Sequence, residues 1–230
     1  MTGGLPPLFE IPTPFGAFQV THTLWVTWGV MAEILLVSAL ISLRLRNQPG
    51  RVQQVVEAMM GWLEDEIRGI IRHDPGPFIP LVAALFIFIL TANLVSFVGI
   101  RPPTSDITTT AALALVVFLA VPYYGISLTG TGTYLKTYVQ PFWLLLPLNI
   151  ISELSRTLAL AVRLFGNVFS GEILVGVMFS LVPFFLPLPL MFLSLIAGTV
   201  QAYIFAILTM VYIGGAVKVV EKRQAKEEAK

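Results

Sequence analysis

From Phe142 to Val182 about forty residues pass with Pro147 as the only strong helix breaker. A continuous helix of that length would reach roughly 60 Å at ~1.5 Å per residue. The hydrocarbon core of a bilayer is only ~30 Å thick. The segment is therefore broken, or it lies steeply tilted. Pro183, Pro187 and Pro189 end it, and a second apolar run follows from about Leu190 to Val220, roughly 45 Å by the same rise. Four short upright spans would need breaks that only Gly166, Gly171, Gly176 and Gly198 can supply. The expectation is a hairpin of two long, strongly tilted helices, over 142–182 and 188–220, followed by a polar tail over 221–230.

The rest of the chain agrees with a membrane setting. It has 230 residues, 56% hydrophobic and 12% charged, with a mean hydropathy of +0.84. Soluble domains carry about a quarter charged residues. The expected class is all-α: a polytopic membrane protein, one membrane domain over 1–230, with no separate soluble catalytic domain. A net charge of +1 gives no case for nucleic-acid binding, and the absence of cysteine removes thiolate chemistry. His22 and His73 have no ligand-like spacing and are expected at the interface, not on a metal. No cofactor site is expected.

Three spans precede the hairpin. The first covers 24–46, with Trp25 and Trp28 at one end and Arg44 and Arg46 at the other, the usual interfacial anchors. Residues 49–73 place Val52, Val55, Val56, Met59, Met60, Leu63, Ile67, Ile70 and Ile71 at 3–4 spacing. This predicts an amphipathic helix on the inner surface, lying on lipid or packed on protein. The second span covers 78–100, and Arg101–Asp106 breaks it. The third covers 107–128, before a Gly/Thr-rich stretch with Lys136 and then Pro141. Residues 1–23, rich in Pro and Gly, lack a basic start and a small-residue cleavage site. They read as an irregular external segment.

With the N-terminus outside and the C-terminus inside, the inner face collects Arg44, Arg46, Arg51, Arg68, Arg72, Lys136, Lys218, Lys222, Arg223, Lys226 and Lys230, 11 of the 14 basic residues. Arg101 falls outside. That distribution satisfies the positive-inside rule. Arg156 and Arg163 fall within the membrane.

Five polar residues occupy the first hairpin helix: Glu153, Arg156, Arg163, Asn167 and Glu172. At about 100° per residue, Arg156 and Asn167 lie near Arg163, Glu153 lies further round, and Glu172 lies on the opposite face. Two polar paths separated by the helix itself are the natural reading. Glu153 and Arg156 are close enough in sequence to pair. Arg163 has no carboxylate one turn away, and a central guanidinium costs ~2.5–3.5 kcal/mol or more in lipid. Its partner must come from elsewhere in this chain or from another subunit. Glu33, in the first span, is as readily a snorkelled or hydrogen-bonded acid. On the second hairpin helix, Gln201 is the largest neutral polar group near the middle. It either bonds Arg163 across the hairpin, lines a watery cavity, or makes an ordinary helix–helix hydrogen bond. Gly198, Ala197 and Ser194 permit close approach.

At "LALAVRLFGNVFSGEIL" (158–174) the sequence resembles the arginine motif of subunit a of the F-type ATP synthases. "PLNIISELS" before it, "VQAYIFAILTMVYI" on the last helix, "PPTSDITTTAALAL" and "FIPLVAALFIFILTANLVSFVG" are similar to the same family's segments, so the resemblance covers most of the chain. It implies a non-catalytic ion-channel subunit standing beside a rotating ring of c-subunits, with peripheral-stalk b-type subunits as further partners. It implies a multi-pass protein of a bacterial plasma membrane or an organelle membrane. It makes Arg163 the essential arginine, facing the ring carboxylate, and gives Asn167, Glu172 and Gln201 to the ion path. Glu153 and Arg156 join these as path candidates. Many members have Lys-Pro where this chain has Arg156-Thr157. At Ser194 the family often has His or Glu; a serine hydroxyl cannot relay protons by titration, and water or another acid must take over. The rival class is a self-contained secondary transporter, which predicts internal repeats and a midplane site closed within one chain. No clear repeat is visible.

Overall fold

The computed structural model describes residues 9–13, 16–43, 50–70, 76–132, 145–182, 185 and 187–228; side chains are described from residue 21 onward, except at 52, 129, 145, 146 and 216–228. Arg44, Arg46, Pro49, Ile71, Arg72, His73, Lys136, Pro141, Pro183 and Lys230 lie outside the described residues.

Two short strands come first, where an irregular segment was expected. β1 (Phe9–Thr13) pairs antiparallel with β2 (Gly16–Val20), Phe9 opposite Val20 and Thr13 opposite Gly16. The prolines had argued against order. Phe, Ile, Thr and Val favour the extended chain, and an isolated two-stranded pair is all edge, where a proline such as Pro12 is tolerated.

Among the described residues, five helices are long and apolar enough to cross a membrane. α1 (His22–Leu43) buries Val30 and leaves most of its surface exposed. α2 (Arg51–Ile70) is amphipathic, with buried Leu63 and Ile67 packed toward α3 (Ile79–Val95) and the last helix. The Trp62 ring lies 5.3 Å from that of Tyr203 and 6.1 Å from that of Phe86. Protein packing inside the chain therefore takes up part of the apolar face of α2, while Val55 stays exposed. α3 ends sooner than the expected span. A 3-10 turn, Ser96–Val98, leads to Gly99 at φ 81°, a left-handed position that glycine adopts without steric cost.

After a second 3-10 turn at Pro103–Ser105, Asp106 caps α4 (Ile107–Thr129) by accepting a 2.9 Å hydrogen bond from Thr108 N. α5 (Leu145–Leu181) and α6 (Pro187–Glu228) are each unbroken, 37 and 42 residues long. The four-short-span alternative is thus not what forms: a glycine within an apolar helix costs too little to break it. α6 also continues through the expected polar tail.

α6 is the packing centre, against α3, α4, α5 and α2. Ala202, Phe205, Ala206, Met210 and Ile213 recur at 3–4 spacing and are buried. α3 answers with Val82, Phe86 and Ile89, α4 with Ala114, Val117 and Val121, and α5 with Leu160, Leu164 and Val168. The outer surface is lined by large apolar side chains such as Leu35, Leu119, Val162 and Ile196, as lipid or apolar partners require.

Candidate functional site

α5 places the polar residues by its packing. Leu160, Leu164 and Val168 form one buried stripe at four-residue spacing. Arg163 and Glu172 fall on either side of that stripe, about 60° and about 40° from its nearest members by helix geometry. The stripe itself separates them.

Arg163 is exposed, and among the described residues it makes no hydrogen bond or ion pair. Its neighbours on the open face include Leu158, Val162 and Gly166. Arg156 is also exposed, its guanidinium carbon 6.0 Å from the centroid of the Tyr212 ring on α6. Glu153 is half-buried, and its backbone carbonyl accepts from Thr157 Oγ1 at 3.1 Å.

Asn167 does not reach Arg163. Its Nδ2 donates to the Ala197 carbonyl of α6 at 3.1 Å, so the amide ties the hairpin together. Gln201 does not bond Arg163 either. It is 5% exposed, and its Nε2 has no hydrogen-bond partner among the described residues. A buried donor in that state is costly unless another group reaches it. The hairpin pairing puts Gln201 level with Arg163, because Asn167 faces Ala197 and Gly171 faces Ser194.

Glu172 is not the lone carboxylate that its helix alone implies. Its Oε1 forms an ion pair with Arg101 Nε at 2.9 Å, with side-chain exposures of 34% for Glu172 and 43% for Arg101. Arg101 Nε also lies 3.2 Å from Ser105 Oγ, to which it donates, and that hydroxyl donates to the Pro102 carbonyl at 2.9 Å. Glu172, Arg101, Ser96, Ser194, Phe97 and Phe179 line a cavity of about 260 Å³ between α5, α6 and the α3–α4 connection. The cavity lining does not include Arg163, Asn167 or Gln201. Glu172 and Ser194 are therefore brought together, and Arg163 lies apart from them.

Two polar contributors escape a one-dimensional reading. Arg101 is far from Glu172 in sequence, and only the fold joins them. Asn93, 4% exposed, donates through Nδ2 to the Gly198 carbonyl at 2.9 Å and accepts through Oδ1 from Thr104 at 2.9 Å. Its one visible signal was an amide inside an apolar run.

Residues 23–214 match the family model described as ATP synthase A chain. The chain is 43% identical over 208 residues to "ATP synthase subunit a 2" of Bradyrhizobium sp., covering 90% of this chain and 93% of that protein. It is 43% identical over 206 residues to "ATP synthase subunit a" of Albidiferax ferrireducens, covering 88% and 89%. It is 44% identical over 208 residues to "ATP synthase subunit a 2" of Acaryochloris marina, with 89% of each chain covered. With a model matched over most of its length and spans built from apolar helices, this multi-pass membrane chain belongs to the ATP synthase A chain family, subunit a of the F-type ATP synthases.

Proposed function

We propose that the chain is the stationary ion-translocating subunit of a rotary ATP synthase. Two offset aqueous half-channels carry ions to and from carboxylates on a ring of c-subunits, and Arg163 stands between them. The observation that carries this reading is an exposed arginine on an apolar helix, with no anion of its own chain among the described residues. Such a charge is costly in lipid, and a carboxylate arriving on a neighbour removes the cost.

The chemistry follows from the guanidinium. A positive charge within ~4–6 Å lowers a carboxyl pKa by about 1–3 units, so Arg163 favours the ionised ring carboxylate and makes it release its ion. Guanidinium is effectively never deprotonated in proteins, so Arg163 cannot pass protons and blocks a direct leak. The ion travels round with the ring instead. A membrane potential supplies ~2.3 kcal/mol per charge per 100 mV, and several ions per turn drive synthesis of each ATP.

The cavity beside Glu172 and Ser194 belongs to one path, on the outer side if the N-terminus is outside. Gln201, level with Arg163, contributes its spare donor near the point of transfer. Asn167 fixes the hairpin beside the arginine, and Glu153 and Arg156 mark the other path. α5 and α6 lie strongly tilted against the ring, because helices of ~55 and ~60 Å cannot stand upright in a ~30 Å core. Peripheral-stalk b-type subunits and lipid cover the exposed face of α1. The membrane is a bacterial plasma membrane, with the C-terminus inside.

The test is ATP-driven pumping by the reconstituted complex in vesicles. Arg163→Ala abolishes coupled transport, and Arg163→Lys does nearly as badly. Full pumping by Arg163→Gln would overturn the mechanism.

A further inference from the structure

Within the cavity, one contact has no place in the scheme above. Arg101 and Glu172 are the charged side chains among its lining residues, and they pair directly at 2.9 Å. Ser194, the polar α6 side chain in the lining, carries no charge. Among the described residues, the charged partner that holds Glu172 in place therefore comes from the α3–α4 connection.

We propose that Arg101 is a positioning residue of the ion path, acting through Glu172. The inference rests on reading the cavity as part of that path. Three features support it. First, the guanidinium is itself held: Nε donates to Ser105 Oγ while it pairs with Glu172 by charge, and Pro102 and Pro103, with their fixed φ, follow immediately. Second, the contact engages a single guanidinium nitrogen and one carboxylate oxygen. That arrangement is more easily exchanged than a two-bond fork. Third, Glu172 Oε2 is buried with no hydrogen-bond partner, so half of the carboxylate is still available to an entering cation or its water.

A cation that enters the cavity competes with Arg101 for Glu172. While the site is empty, the guanidinium keeps the carboxylate at the wall. During passage the carboxylate lets go of Arg101, which stays tethered to Ser105, and returns to it afterwards. Arginine cannot end the pairing by giving up its proton. The pair therefore persists between ions.

The test is a double-mutant cycle on ATP-driven pumping by the complete complex in vesicles, with subunit co-purification measured beside it. Glu172→Gln is expected to slow pumping with assembly intact. Arg101→Gln should slow it by about tenfold, within the range of couplings between residues in contact. Arg101→Lys should recover most of the rate. In the Glu172→Gln background, Arg101→Gln should add nothing. If Arg101→Gln pumps at the full rate while Glu172→Gln is slow, this inference fails and the reading of the path stands. An equal loss from Arg101→Gln in both backgrounds also overturns it. If Glu172→Gln pumps at the full rate, the reading of the path fails first. Should Arg101→Gln not assemble, Ser105→Ala releases one tether of the guanidinium. It should give a milder slowing that vanishes in the Glu172→Gln background; a slowing that persists there overturns the proposal.

Discussion

Asn93 and Arg163 are both polar groups on apolar helices, and the fold treats them in opposite ways. Asn93 is buried on α3 and satisfied at both ends of its amide, by Gly198 and Thr104. Arg163 is exposed on α5 and meets no partner among the described residues. In the most apolar stretch of α3, 39% of residues are buried within the chain; in that of α5 the share is 11%. A buried polar group that its own chain satisfies pins the structure together. One that the chain leaves bare, at a cost of several kcal/mol in lipid, points to a partner that comes and goes.

The largest effect expected from that contrast is at Arg163. Arg163→Leu should reduce ATP-driven pumping to the assay background, yet leave the yield and thermal stability of the complex unchanged. No side-chain bond to the described residues is lost, and an exposed cation is replaced by a residue that lipid accepts. A complex that no longer assembles with leucine at this position would make Arg163 a structural residue like Asn93, and the contrast would break.

The converse experiment is next in size. Asn93→Leu leaves the Gly198 carbonyl and the Thr104 hydroxyl without their amide partner, at a cost of about 1–3 kcal/mol. Gly198→Ala attacks the same contact from α6. A Cβ there would meet Asn93 Nδ2 at 3.0 Å and its Cβ and Cγ at 3.1 Å, and overpacking of this kind costs about 1–3 kcal/mol. Both variants should lower the thermal midpoint of the complex. Pumping per assembled complex should change far less than in Arg163→Leu. A Gly198→Ala complex of normal stability would mean that α3 and α6 can part at this point without loss.

The same contrast shows what the sequence disclosed. Apolar runs, proline breaks and the 3–4 spacing of α2 are local signals, and local signals placed the helices well. Glycine was the less reliable guide: Gly166, Gly171 and Gly176 sit inside an unbroken α5. Arg163 and Glu172 stood out because a charge in an apolar run is conspicuous whatever surrounds it. Their neighbours were not readable. The Asn93–Gly198 bond joins residues 105 apart, and the Arg101–Glu172 pair joins a connection to a helix across the fold. Helix periodicity gave the angle of each polar group on α5. It could not say which other helix would face it, so nothing in the spacing showed that the amide of Asn167 donates to the Ala197 carbonyl.

Gln201 lies between the two extremes. It is buried like Asn93, yet its Nε2 is unpartnered among the described residues like the guanidinium of Arg163. Gln201→Leu separates the two descriptions. If burial decides, removing an unsatisfied donor should leave the complex as stable or more so, with pumping intact. If the donor serves the ion path, stability should hold while pumping falls severalfold. The second outcome is expected, because Gln201 is level with Arg163 in the hairpin. Unchanged pumping would remove Gln201 from the path.

Asn167 should give the smallest effect and the finest cut. It is next to Arg163 on α5, but its amide already donates to the Ala197 carbonyl. Hydrogen bonds between membrane helices average about 0.6 kcal/mol, and the Ala197 carbonyl lies within α6, where the backbone ladder also engages it. Asn167→Leu should therefore cost less than ~1 kcal/mol of stability and slow pumping only slightly. Asn167→Asp should do more harm, since a carboxylate loses the donor to Ala197 and places an anion near Arg163 that would compete with the ring carboxylates. Pumping as poor in the leucine variant as in the aspartate variant would show that the amide itself handles ions. A leucine variant near the wild-type rate beside an impaired aspartate variant would place Asn167 with Asn93, as a pin that must stay uncharged to keep the arginine open.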